Sequence, residues 1–195
     1  MTTFNSKEPN TFHYLTMVAF RRVPIFKSEI IARFFIEVLT ETREKNPFKL
    51  IGYVIMPDHV HLILNPLNCD ISSLGKMLKG ASARRIIDWL KENKQFTSLK
   101  KLQLNLSQKR NHRFAVGQKK VTSIDLHSPK FIRQKLNYLH LNPIRAGLCD
   151  HPAKWTWSSY RAYLPHEKGD VPIEMDLRGY WREEEFDKPA VEDRF

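Results

Sequence analysis

Tyr53-Val54-Ile55-Met56-Pro57-Asp58-His59-Val60-His61-Leu62-Ile63-Leu64-Asn65 is the stretch that decides how this chain folds. Two apolar runs of strand length and β-branched content, 50–55 and 60–64, flank Met56-Pro57-Asp58, where Pro and Asp favour a turn; the stretch predicts a β-hairpin. In its second strand the period of two sends His59, His61 and Ile63 to one face and Val60, Leu62 and Leu64 to the other. Two imidazoles then project side by side from a rigid strand, which suits a metal ion. In a chain with eight histidines such a pair is a weak signal alone, and it needs a third ligand. No His-Glu-X-X-His or Cys-X-X-Cys pattern occurs, and Leu62-Ile63-Leu64 does not supply the acid and histidine of a binuclear hydrolase.

On the N-terminal side, residues 12–20 read as a first strand running into a basic loop with Arg21 and Arg22, candidate phosphate contacts. Ser28 begins a helix whose Ile31, Phe34, Phe35, Val38 and Leu39 recur at three- and four-residue spacing, and which stops before Asn46-Pro47. After the hairpin, residues 68–70 offer a turn and cap for a second helix, marked by Leu74, Leu78, Ala81, Ile86 and Leu90 and interrupted by Gly75 and Gly80. Its other side carries Lys76, Lys79, Arg84 and Arg85, either a solvated face or a DNA contact. Residues 91–120 read as a basic loop, with a strand near 114–121. The order strand, helix, strand, strand, helix, strand predicts an α+β fold, a ferredoxin-like four-stranded antiparallel sheet with two helices on one face. The His59 and His61 face stays open to a further helix or a ligand.

The chain is long enough for one good core, with 195 residues and 42% hydrophobic content, and its net charge of +11 favours a polyanionic partner, nucleic acid ahead of membrane. Residues 166–195 hold ten acids and five bases, so an acidic C-terminal extension follows a body, residues 1–165, that carries +16. That extension is either a solvated tail or a segment that folds back onto the basic surface. Cys69 and Cys149 lack metal spacing, and no signal pattern or membrane-length apolar run is present; the expectation is a cytoplasmic protein with free thiols.

Ser128-Pro129 starts another helix, with Ser as cap and Pro at the first position. Ile132, Leu136 and Leu139 form its apolar stripe; Phe131, Lys135, Tyr138 and Asn142 lie on the neighbouring one. A tyrosine hydroxyl can hold a covalent phosphate, and an Asn oxygen can complete a two-histidine site. Equally, Tyr138 can be a half-buried core residue, and Asn142 can cap a short segment, 143–146, ended by Gly147. His140 points to another side, into packing.

Together, Met56 to Leu64 and Tyr138-Leu139-His140-Leu141-Asn142-Pro143-Ile144-Arg145-Ala146-Gly147-Leu148, followed by Trp157-Ser158-Ser159-Tyr160, resemble the IS200/IS605-like single-tyrosine (HUH) transposases, and within them the REP-associated tyrosine transposases. The resemblance covers roughly residues 10–165. It implies that His59, His61 and Asn142 bind Mg²⁺ or Mn²⁺, with Tyr138 the nucleophile that cleaves and rejoins single-stranded or hairpin DNA through a 5′-phosphotyrosine. Arg21, Arg22, Lys76, Lys79, Arg84 and Arg85 would hold phosphates. Relatives often carry Trp-Gln where this chain has Gly117-Gln118, and its basic stretch 91–113 is longer. Insertion-sequence relatives are typically dimers with exchanged tyrosine helices, whereas the REP-associated group need not be, so both monomer and homodimer stay open. Two other classes share these residues: a DNA- or RNA-binding regulatory module derived from a transposase, and a metal-dependent hydrolytic nuclease.

Overall fold

The first strand, β1 (Phe12–Val18), ends in a 3₁₀ turn, Phe20–Arg22, and leads to helix α1 (Glu29–Lys45). The hairpin strands β2 (Phe48–Met56) and β3 (His59–Pro66) follow, then α2 (Ile71–Glu92), the short α3 (Phe96–Leu102), β4 (Thr122–Leu126) and α4 (Pro129–Arg145). The computed structural model describes residues 11–105, 113–164 and 171–177. Most of the acidic extension, and residues 106–112 of the long basic stretch, lie outside them.

All pairings are antiparallel, in the order β2-β3-β1-β4, which is the ferredoxin-like arrangement the element order predicts. Val60, Leu62 and Leu64 join Leu15, Tyr53 and Ile55 under α1 and α2, whose inward residues Phe35, Leu39, Leu74 and Leu78 complete the larger core. The opposite face carries Tyr14, Val54 and Ile63 and is covered by Ile132, Leu136 and Leu139 of α4. The sheet thus lies between two helices on one side and the tyrosine-bearing helix on the other.

Two local expectations are corrected. Gly75 and Gly80 do not interrupt α2, which is continuous and capped by Asp70 accepting from the Ser73 amide at 2.9 Å. Each glycine costs roughly 1 kcal/mol in a helix, but the buried stripe Leu74, Leu78, Ile86 and Leu90 outweighs it. The fourth strand is not 114–121 but β4, further along; within 114–121 there are only the isolated bridges Gln103 to Phe114 and Ala19 to Gly117. Asp125 breaks the apolar pattern of β4, and is accommodated because His13 Nδ1 meets its carboxylate at 2.8 Å across the β1–β4 pair.

The outer edge of β2 is covered by residues from the C-terminal side of α4. Ile55 receives bonds at both backbone groups, its N–H donating to Trp157 O (2.8 Å) and its carbonyl accepting from Trp155 Nε1 (3.0 Å). Tyr53 N–H donates to Ser159 Oγ (2.9 Å), the Tyr163 hydroxyl donates to Ile51 O, and Leu50 N–H donates to Asp176 Oδ2 (2.7 Å). Covering an edge in this way blocks pairing with another chain.

Candidate active site

His59 and His61 stand on the α4 face of β3 as the period of two requires, their ring centroids 4.7 Å apart. Each ring is held through Nδ1: His59 by the Asp58 carboxylate at 2.6 Å, His61 by Thr16 Oγ1 at 2.9 Å on the paired strand. Both Nε2 atoms are therefore left to face a ligand, the second-layer pattern of metal-binding histidines. His61 is only 8% exposed. Burial, followed by the neighbouring His59 and opposed by Asp58, pushes its pKa down to about 3, so the ring is neutral and ligand-competent at ordinary pH. Burial works against ionisation of Asp58, but hydrogen bonds from His59 and Arg22 hold its carboxyl below the usual range.

Tyr138 reaches this face because the Ser128 side chain accepts from Phe131 N at 3.2 Å to start α4, and the stripe Ile132, Leu136, Leu139 seats the helix on the sheet. Its ring is 42% exposed and lies 6.4 Å, centroid to centroid, from that of His61. Asn142 does not cap a separate segment: α4 continues through Pro143 to Arg145, and Gly147 follows with φ of 67°. The helix therefore keeps Asn142 one turn from Tyr138. Its Nδ2 donates to Tyr138 O at 2.9 Å, and its side chain also interacts with the buried Tyr14 hydroxyl.

Two imidazole nitrogens and an amide oxygen suit a divalent cation that also takes oxygens from water and a phosphate. Among the described residues no group of three or more His, Cys, Asp or Glu could hold a metal; Asn142, one helical turn from Tyr138, is the residue whose side-chain oxygen could add to the two histidines.

The sequence reading did not single out Tyr14, Asp58, Thr16 or Lys135 for the site. Tyr14 packs beside His61 (5.0 Å) and Tyr138 (6.3 Å), and burial, with Tyr138 adding, drives its pKa upward against Asn142 and Arg145. The Lys135 ammonium lies 5.5 Å from the Tyr138 ring, and the Arg145 guanidinium 4.8 Å from it. Alternation along β1 puts Tyr14 and Thr16 on one face, but only the pairing of Thr16 with His61 brings that face to the histidines. His140 is buried, as expected, and its Nε2 bonds Ser159 Oγ at 2.9 Å, tying α4 to the covered edge of β2.

The six basic residues read as phosphate contacts occupy different settings. Arg22 donates to Asp58 at 2.9 Å, at the margin of the histidine pair, while Arg21 reaches Asn105 at 3.2 Å; both have φ near 50°, a left-handed conformation uncommon for arginine. Lys79 donates to the carbonyls of Gln118 (3.2 Å) and Lys119 (2.9 Å), pinning that loop to α2. Arg85 bridges α2 to Glu37 and Glu41 of α1 at 3.2 and 2.8 Å. Lys76 and Arg84 are exposed. Lys79 and Arg84, with Phe20, Phe114 and Lys119, line a groove of about 770 Å³. Phe20 places it at the His59 end of the sheet, since Val18 pairs with His59.

Comparison with known proteins agrees with this architecture. The chain is 24% identical over 150 residues to a Haemophilus influenzae protein described as a REP-associated tyrosine transposase, covering 76% of this chain and 78% of that one. It superposes on the structure of a REP-associated tyrosine transposase bound to a REP hairpin with a TM-score of 0.60, across 91% of this chain and 93% of the other; at 16% identity that likeness concerns the fold. The model of the family described as "Transposase IS200 like" matches residues 10–125, from the start of β1 into β4 and so across the histidine hairpin. Since that match takes in more than half of the chain, the protein belongs to the IS200-like transposases.

Proposed function

We propose that this protein is a REP-associated tyrosine transposase that cleaves and rejoins single-stranded, hairpin-forming DNA through a 5′-phosphotyrosine on Tyr138. The observation that carries the reading is the half-exposed Tyr138 ring facing the histidine pair, 6.4 Å from His61, within one chain. Tyr138 Oη forms the bond to phosphorus as the bond to the 3′ oxygen breaks. The tyrosine releases a proton and the departing 3′ oxygen gains one, so one phosphodiester is exchanged for another and resealing needs no ATP.

Mg²⁺ or Mn²⁺ is the cofactor proposed, held by His59, His61 and Asn142; when bound it supplies Lewis-acid polarisation of the scissile phosphate. Asp58 and Thr16 fix the two rings, and the packing of α4 fixes the nucleophile. Arg21, Arg22, Lys76 and Arg84 contact DNA phosphates, while Lys79 and Arg85 shape that surface through their loop and helix partners. We assign residues 1–165 to the catalytic unit and 166–195 to an acidic extension, in a protein of the cytoplasm. Among the described residues no helix is long and apolar enough to cross a membrane.

The test is incubation with labelled hairpin DNA and Mg²⁺ or Mn²⁺, run on a denaturing gel beside Tyr138→Phe. A protein-linked band that needs the metal and is absent in Tyr138→Phe is expected. Cleavage without a linked band would instead mean a hydrolytic nuclease, and binding without cleavage a regulatory module.

A further inference from the structure

Tyr14 is only 4% exposed, and its hydroxyl makes no hydrogen bond of normal geometry among the described residues, the Asn142 side chain being the polar group that interacts with it. A buried polar atom left unpaired costs stability, and phenylalanine would fill the same volume without that cost. The hydroxyl belongs to a ring that packs against both His61 and Tyr138, at 5.0 and 6.3 Å.

Lys135 has a matching property. Its ammonium lies over the rings of Tyr14, Tyr138 and Phe131 at 5.6, 5.5 and 5.5 Å, and no carboxylate pairs with it among the described residues. A hydroxyl and an ammonium, both donors, thus converge beside the tyrosine from two elements, β1 and α4. Their shared complement is an anion with more than one oxygen.

We propose that Tyr14 Oη and Lys135 Nζ bind a non-bridging oxygen of the scissile phosphodiester, making both of them catalytic residues for attack by Tyr138. The inference rests on the phosphotyrosine reading above. A scissile phosphate has two non-bridging oxygens, and as Tyr138 attacks, negative charge develops on both. Tyr14 and Lys135 stand beside the histidines and Tyr138, in a semi-buried setting where oriented donors act most strongly on developing charge. The Tyr14 ring is held by its strand and by the two neighbouring rings, which keeps its hydroxyl beside Tyr138.

The test compares wild type, Tyr14→Phe, Lys135→Met and Lys135→Arg in single-turnover linkage to hairpin DNA, with DNA affinity and melting temperature measured alongside. Tyr14→Phe and Lys135→Met should each slow linkage about 10²-fold, the size typical for one donor to a developing oxyanion. DNA affinity should stay within about threefold, since one contact among many phosphate contacts is lost. Lys135→Arg should recover part of the rate, and Tyr14→Phe should melt at or above the wild-type temperature because an unpaired buried hydroxyl is gone. Unchanged linkage in Tyr14→Phe, or a loss of rate only in step with a lowered melting temperature, overturns the proposal. A wild-type protein that links no DNA removes the underlying reading, and this one with it.

Discussion

Gly52→Ala asks whether the seating of α4 on β2 sets the position of Tyr138, the proposed nucleophile. A Cβ at residue 52 would stand 2.7 Å from Leu136 Cδ1, where carbon contacts normally lie at about 3.5–4.0 Å. Leu136 is 2% exposed and packs in one cluster with Ile51, Val54, Ile63 and Leu139, so its tip has little room to turn aside. Overpacking on this scale costs about 1–3 kcal/mol. Leu136→Ala alone removes the leucine branch and costs about 2–5 kcal/mol. In the double variant the new methyl occupies space the leucine vacated, so the combined loss should fall short of the sum by about 1 kcal/mol or more. Urea unfolding of the four proteins reads that coupling. Tyr138 lies two residues beyond Leu136, and a displacement of about 1 Å at a reacting atom costs on the order of 10²-fold in rate. Gly52→Ala should therefore stay folded yet link DNA far more slowly. Losses that add within about 0.5 kcal/mol, or a full linkage rate in Gly52→Ala, would refute the claim that this contact positions the tyrosine.

Asp58→Asn removes the carboxylate that holds His59 Nδ1 at 2.6 Å and Arg22 at 2.9 Å. Mn²⁺ affinity measured by calorimetry should fall about 10–100-fold, as for other ligand-orienting groups; undiminished affinity would take Asp58 out of the site. Stability should also depend on pH in a defined direction. Burial holds the His140 pKa down to about 3 against an unfolded value of 6.5, so the unfolded chain binds the extra proton between these values. The stabilisation is complete above pH 6.5 and is lost as pH falls toward 3, at about 1.4 kcal/mol per unit, with His61 acting in the same sense in metal-free protein. Urea midpoints at pH 7.5 and 5.5 test this, and a protein more stable at 5.5 would contradict it.

What could be read from the chain alone was whatever local backbone geometry dictates. Alternation in β3 separates His59 and His61 from Val60, Leu62 and Leu64, and helical spacing puts Tyr138 and Asn142 one turn apart, whatever the rest of the chain does. Features that need a distant partner were hidden. Asp125 argues against a strand until His13 is known to pair with it, and Arg85 reads as a free cation until α1 brings up Glu37 and Glu41. Tyr14 and Lys135 were both visible, but their approach to Tyr138 depends on strand register and on where α4 docks.

The segment after α4 joins these local and distant features. Ser159 Oγ accepts from Tyr53 N–H, donates to Tyr53 O, and receives His140 Nε2, so one hydroxyl closes the edge of β2 and anchors the helix two residues beyond Tyr138. Leu136 grips the same strand from within the core, two residues before Tyr138. Tyr138 is thus held between two attachments to one strand, and that strand pairs directly with β3, where Val54 lies opposite His61. Motion of the tyrosine relative to the histidines then requires breaking a buried hydrogen-bond network or unpacking a leucine, rather than swinging a loop. A single chain can therefore hold both halves of the site in register, because the residues that protect its sheet edge also fix the helix that carries the tyrosine.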